Sequence, residues 1–126
     1  MTIAYWCILV AGLMPFVAIG IAKASKNYDN NNPRDWILTR QGRQKRAYQA
    51  HLNCFEAFPF FAAGVIVAHL AHATQSTIDY LAISFIALRV AYIWFYIADS
   101  ATPRSLVWMG GLGISVALFT IGVAAK

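Results

Sequence analysis

The chain has 126 residues, of which 60% are hydrophobic and only 12% charged, whereas a soluble domain carries about 45–50% apolar residues with glycine included. The formal charge of +5 arises in one segment, Lys23 to Arg46, with seven Lys and Arg against Asp29 and Asp35, and the remainder is neutral. Long charge-free stretches exclude a solvated globular domain, and a basic cluster set between apolar spans points to an anionic lipid surface as partner rather than to nucleic acid.

The expected architecture is an all-α integral membrane protein: one domain, residues 1–126, with four transmembrane helices at about 3–23, 45–72, 78–98 and 103–125. Ile3 to Ala22 carries no charge, and its helix of about 30 Å is long enough to cross the hydrocarbon core. It has no charged segment before it and exceeds a signal-peptide core, so it reads as a retained first helix. Pro15 inside it predicts a kink that a membrane bundle tolerates. Asn27 to Arg34, with Asn30, Asn31, Asn32 and Pro33, reads as a turn-rich loop that Lys45 and Arg46 close.

The second helix is polar in its first half, with Gln49, His51, Asn53 and Glu56 before Pro59, and apolar in its second. The third is apolar except for Asp79 at its start and Arg89, Tyr92 and Tyr96 later. For the fourth, Thr102 as N-cap and Pro103 at the first helical position form a start signal, and Gly110, Gly111 and Gly113 suit close helix packing. Cys7 and Cys54 fall inside predicted spans without a CxxC or Cys/His pattern, so neither a disulfide nor a metal site is expected.

Seven basic residues in the first connection and none in the second place the first connection in the cytoplasm. Both termini then face the opposite side, and the third connection, Asp99 to Thr102, returns to the cytoplasmic side. That orientation gathers the polar residues of the second, third and fourth helices in one leaflet.

At 100° per residue, Arg46, Gln49, Asn53 and Glu56 fall within about 80° of one another, while His51 points roughly 140° away from Arg46. Arg89, Tyr92, Tyr96 and Asp99 follow i, i+3, i+7, i+10 and share a face of the third helix. A charge at membrane depth costs at least about 2.5–3.5 kcal/mol, so Glu56 and Arg89 are expected to pair inside the protein. A structural ion pair would account for those two alone. Arg46, Asn53, Tyr92, Tyr96 and Arg104 add more donors than one carboxylate needs, which points to a polar anionic ligand.

Pro103, Arg104 and Ser105 occupy the first turn of the fourth helix, where unpaired N–H groups favour an anion. A thiol gains most there, because a nearby Arg and a helix N-terminus favour the thiolate, which is the nucleophile. Ordinary capping and contact with a lipid phosphate remain the alternative. His51, His69 and His72 read as packing or interfacial residues.

The run Arg46-Ala47-Tyr48-Gln49-Ala50-His51-Leu52-Asn53-Cys54-Phe55-Glu56, followed by Phe58-Pro59-Phe60, resembles the signature of the MAPEG family, membrane-associated proteins in eicosanoid and glutathione metabolism. Arg89-Val90-Ala91-Tyr92 with Tyr96, and Pro103-Arg104-Ser105, are similar to that family's third helix and to the turn into its last. The resemblance implies a homotrimer, with glutathione as co-substrate bound between protomers near the cytoplasmic side. It implies Asn53 and Glu56 as holders of glutathione's polar groups, with Arg46, Gln49, Tyr92 and Tyr96 as further contacts and Arg89 serving either the ligand or Glu56. Arg104 and Ser105 are the catalytic candidates that face the thiol.

The implied reaction is attack of glutathione thiolate on a lipophilic electrophile, or reduction of a lipid hydroperoxide, with the apolar substrate arriving from the bilayer. Gln49, Leu52 and Cys54 stand where many or some members carry Arg, Arg and Asp. That loss of charge supports the alternative: a non-catalytic member that binds lipid or serves as a subunit of a larger membrane assembly. A channel or transporter fits worse, since no inverted repeat and no polar face running the whole membrane thickness is present. The short third connection and the absence of a targeting segment suit a bacterial inner membrane, with an intracellular eukaryotic membrane as the alternative.

Overall fold

The computed structural model describes residues 1–124, so Ala125, the expected end of the last span, lies outside the described residues. The elements are α1 (Ile3–Lys23), α2 (Pro33–Leu38), α3 (Gly42–Leu70), α4 (Gln75–Ile97) and α5 (Ala101–Ala124). Among the described residues, α1, α3, α4 and α5 are the helices long and apolar enough to cross a membrane. α3 and α4 form the middle of the bundle, and α1 and α5 pack against both of them from opposite sides.

Thr2 starts α1 by accepting a hydrogen bond from the Tyr5 N–H at 3.3 Å, and Asp79 of α4 accepts from the Ala4 N–H at 2.9 Å. Two of the orphan donors at the helix start are thus satisfied. Ala4, Cys7, Ala11, Met14, Ala18 and Ala22 recur at three- and four-residue spacing and are buried, so α1 presents a stripe of small side chains to its neighbours. Trp6, Leu13, Phe16 and Val17 on its other face are exposed, which suits contact with acyl chains. Pro15 is buried inside α1, and its carbonyl receives His51 Nδ1 of α3 at 2.7 Å. His69 bonds the Val65 carbonyl through Nδ1 and Thr2 through Nε2, and its ring stacks on Tyr5 at 4.1 Å. Both histidines therefore fasten α3 to α1.

The centre of the bundle is apolar: Phe61 and Phe85 stack at 3.9 Å, with Val65, Ile78 and Leu118 fully buried around them. α5 reaches α3 through Gly64, where an added Cβ would lie 3.1 Å from Leu118 Cβ and 3.2 Å from the Ser115 carbonyl oxygen. The glycine cluster expected to provide close packing divides. Gly110 abuts Leu88, whereas Gly113 has nothing among the described residues within 4 Å of an added Cβ. A glycine's value in packing depends on which way its helix faces, and Gly113 is exposed.

The first connection is more ordered than a turn-rich loop. Pro33 opens the short α2, whose Trp36 and Ile37 are buried beside Ala22 of α1 and Ala47 of α3. Tyr28 meets Trp36 edge-on at 5.1 Å, and the Arg40 guanidinium covers it at 4.5 Å. Asparagine-proline is a helix-start pattern as well as a turn pattern, and six residues give too little periodicity to separate the two.

The turns after α3 and α4 share one geometry. At the end of α4, Asp99 adopts φ +61°, its N–H bonds the Tyr96 carbonyl at 3.2 Å, and the Ser100 N–H bonds the Phe95 carbonyl at 2.9 Å. His72, at φ +59°, does the same after α3, with Ala73 donating to Ala68 at 3.1 Å. These paired bonds satisfy the last carbonyls of each helix and stop it abruptly. α5 therefore starts at Ala101, which places Thr102 inside the first turn rather than at the N-cap. Asp99 lies in the turn instead of continuing the polar face of α4.

Candidate functional site

The abrupt end of α4 brings the start of α5 back over it. The Arg104 guanidinium carbon lies 4.6 Å from the centre of the Tyr96 ring, Tyr96 meets Tyr92 edge-on at 5.6 Å, and the Arg89 guanidinium covers Tyr92 at 4.3 Å. Two cations and two aromatic rings thus alternate along α4 and into α5, an arrangement in which each guanidinium faces a π-surface. The i, i+3, i+7 spacing of Arg89, Tyr92 and Tyr96 set this row up, and the tight turn added Arg104.

The polar stripe of α3 lies beside the row. Tyr96 donates its hydroxyl to Gln49 Oε1 at 3.2 Å, and Asn53 Nδ2 donates to Glu56 Oε2 at 3.0 Å. Three adjoining recesses follow. Gln49, Asn53 and Glu56 share a 230 Å³ recess with Tyr92 and Tyr96. The same tyrosines share another of 230 Å³ with Arg104, Ser105 and Trp108. Trp108 connects this to a third, of 150 Å³, where Asn53, Glu56 and Arg89 meet Phe60, Phe85 and Ser115. The groove they form has cationic and hydroxyl groups at the basic end of the bundle and aromatic walls deeper in.

Within this groove Asn53 Oδ1 is buried without a hydrogen-bond partner among the described residues. A buried acceptor left unpaired costs about 1–3 kcal/mol, so the position is suited to a donor supplied by a ligand or a second copy of the chain.

Two candidates sit differently from the expectation. Arg46 directs Nε to the Ile97 carbonyl at 3.1 Å, so its cation covers the C-terminus of α4 and lies outside the three recesses. Such a placement complements the negative end of a helix. The expected Glu56–Arg89 ion pair is not formed within the chain. Glu56 is exposed and takes its bond from Asn53, while Arg89, 4% exposed, donates Nη2 to Cys54 Sγ at 3.5 Å. Helical phase put the two charges on facing stripes, but Glu56 projects toward the outside of the bundle and Arg89 toward its inside.

Trp108 and Phe60 were not expected at the site. Trp108 follows Arg104 by four residues and Phe60 follows Glu56 by four, so each falls one turn along the same face as a polar candidate. Inside hydrophobic spans, that spacing does not stand out from the surrounding Leu, Ile and Phe.

A model of the MAPEG family matches residues 3–124, nearly the whole chain, and the protein belongs to that family. No curated protein matches the chain.

Proposed function

From membership of the MAPEG family, whose members include glutathione transferases, peroxidases and non-catalytic proteins, we propose that this protein is a membrane-bound glutathione-dependent transferase or peroxidase. Its second substrate is a lipophilic electrophile or lipid hydroperoxide drawn from the bilayer. The protein assembles as a homotrimer, so that a neighbouring protomer closes the groove between α3, α4 and α5. Asn53, Glu56 and Gln49 hold polar groups of glutathione, Tyr92 and Tyr96 form the floor, and Arg89 lies at the deep end.

The observation that carries this reading is the placement of Arg104 and Ser105 with Tyr92 and Tyr96 in one recess. Arg104 supplies a positive charge and Ser105 a hydroxyl where a thiolate would develop. The Arg104 guanidinium is held in place by the Tyr96 ring. Pre-oriented donors of this kind stabilise anionic charge without reorganising during reaction. Thiolate sulfur then attacks the electrophile, and the charged conjugate leaves toward water; with a hydroperoxide it attacks the terminal oxygen, the alcohol leaves toward lipid, and a second glutathione converts the glutathione sulfenic acid to glutathione disulfide and water.

The test is titration of detergent-purified protein with glutathione while following the ultraviolet absorbance of a bound thiolate. Binding with thiolate absorbance is expected, and Arg104→Ala should retain the assembly while lowering turnover by about 10²–10³-fold, the usual effect of removing one such donor. Saturable binding with unchanged turnover in Arg104→Ala would refute the role given to Arg104.

A second reading rests on the commitments of Arg46 and Gln49 to bonds within the protomer and on the exposed Leu52 in the same recess as Gln49. A groove with fewer free cations suits a lipid, or a subunit of a larger assembly, better than glutathione's two carboxylates. Absence of glutathione binding together with a stoichiometric copurifying lipid or protein would favour it.

The basic first connection is assigned to the cytoplasm and both termini to the other side, in a bacterial inner membrane. A reporter fused to the C-terminus that proves active in the cytoplasm would overturn this orientation.

A further inference from the structure

Arg89 carries a full charge inside a membrane span with little to compensate it. The residue is 4% exposed, its guanidinium rests on the Tyr92 ring, and one N–H goes to Cys54 Sγ at 3.5 Å. Its other N–H groups make no hydrogen bond, and no carboxylate pairs with it, among the described residues. A buried charge without a counter-charge is costly. The guanidinium borders the 150 Å³ cavity that Asn53, Glu56, Trp108 and Ser115 also line. One water takes up about 30 Å³ of the liquid, so the cavity has room for a small polyatomic ion.

We infer that this cavity binds a small, planar, monovalent oxyanion that keeps a proton, bicarbonate being the simplest. Three features of the lining select it. Arg89 needs acceptor oxygens, and a planar guanidinium takes two oxygens of a planar oxyanion side by side. Two neighbouring groups are acceptors without a donor. Asn53 Oδ1 is buried with no partner among the described residues, and Ser115 has given its hydroxyl hydrogen to the Gly111 carbonyl at 3.2 Å. The ligand must therefore bring an O–H of its own, since an unmet buried acceptor is destabilising. Glu56 is exposed and takes Asn53 Nδ2 at 3.0 Å, so its negative charge stands at the outer edge of the cavity. That charge disfavours an ion with a second one.

Other small occupants meet these demands only in part. Water supplies both O–H and acceptor but leaves the cation uncompensated. Chloride compensates the charge and offers Asn53 nothing. Sulfate brings a second charge toward Glu56. Nitrate matches bicarbonate in planarity and charge and lacks only the proton, so the difference between the two ions isolates the hydrogen bond to Asn53.

The ion site is distinct from the recess of Arg104 and Ser105, which Arg89 does not line. It shares Asn53 and Glu56 with the recess of Gln49, Tyr92 and Tyr96. An ion held by Arg89 and Asn53 therefore restrains two side chains that the neighbouring recess also uses. Ion binding needs no glutathione and is measured without it.

The experiment titrates detergent-purified, full-length protein, freed of carbon dioxide, with sodium bicarbonate, nitrate, chloride or sulfate at mildly alkaline pH. Gluconate keeps the ionic strength constant. Melting temperature is followed, and binding of isotopically labelled bicarbonate is read from its nuclear magnetic resonance line width. Expected is saturable stabilisation by bicarbonate with an affinity about tenfold above that of nitrate, the worth of one buried hydrogen bond. Chloride should bind more weakly still and sulfate not at all. Arg89→Met, neutral and of similar length, should abolish the response, and Asn53→Leu should make bicarbonate and nitrate equal. Equal responses of the unaltered protein to bicarbonate and nitrate overturn the inference, as does a bicarbonate response that survives in Arg89→Met. Identical melting in bicarbonate and gluconate, without line broadening, overturns it too and leaves water as the occupant. If Arg89→Met does not fold, the ion series on the unaltered protein and Asn53→Leu still decide.

Discussion

Replacing Gly64 and Gly113 with alanine, one at a time, should move stability in opposite directions although both residues lie in apolar spans. At Gly64 the new methyl would lie 3.1 Å from Leu118 Cβ, 3.2 Å from the Ser115 carbonyl oxygen and 3.3 Å from Phe119 Cε2. The first two atoms cannot rotate away, so α5 must move off α3 by a few tenths of an ångström. Overpacking of this kind costs about 1–3 kcal/mol, against which the better helix propensity of alanine returns about 0.8–1 kcal/mol. Gly64→Ala should therefore be destabilised by up to about 2 kcal/mol. At Gly113 nothing among the described residues lies within 4 Å, so only the propensity gain of about 0.8–1 kcal/mol remains.

Propensity is common to both variants and cancels in their difference, which is the packing cost alone, about 1–3 kcal/mol. At about 3–4 °C per kcal/mol for a chain of this size, Gly113→Ala should melt about 3–12 °C above Gly64→Ala in the same detergent. Equal or reversed melting temperatures would refute the close approach of α3 and α5. Because Ser115 also lines the cavity with Arg89, a displaced α5 should in addition alter whatever that cavity binds.

Arg46→Ala should remove a charge-assisted bond to the Ile97 carbonyl and cost about 1.5–3 kcal/mol; thermal melting checks this, and a loss of ligand affinity without loss of stability would show that Arg46 serves the ligand instead. Asp79→Ala should cost about 0.5–2 kcal/mol by freeing the Ala4 N–H, and Asp79→Asn, which keeps an acceptor oxygen, should cost less in the same melting assay. Trp36→Ala should release α2 from Ala22 and Ala47 at about 3–5 kcal/mol locally, read as faster proteolysis between Lys23 and Gly42 while the membrane-spanning helices stay protected.

The sequence alone carried the membrane class, the number of long spans and the polar rows of α3 and α4. Length, hydropathy and helical phase are local properties, and a charge that survives inside an apolar span stands out because lipid makes it costly. The MAPEG pattern was legible for the same reason: its polar residues lie at fixed spacing on two helices.

Tertiary structure decided which members of each row meet. Helical phase places Glu56 and Arg89 on facing stripes, but the rotation and depth of packed helices turn Glu56 outward and give Arg89 to Cys54. The tight turn at Asp99 decides that Arg104 lands on Tyr96, and the packing of α5 decides that Gly64 rather than Gly113 bears a helix contact. α2 was hidden because six residues make less than two helical turns, and its burial comes from α1 and α3. Spacing along one helix fixes which residues share a face, whereas distances between helices are set by small residues and turn geometry far away in the chain.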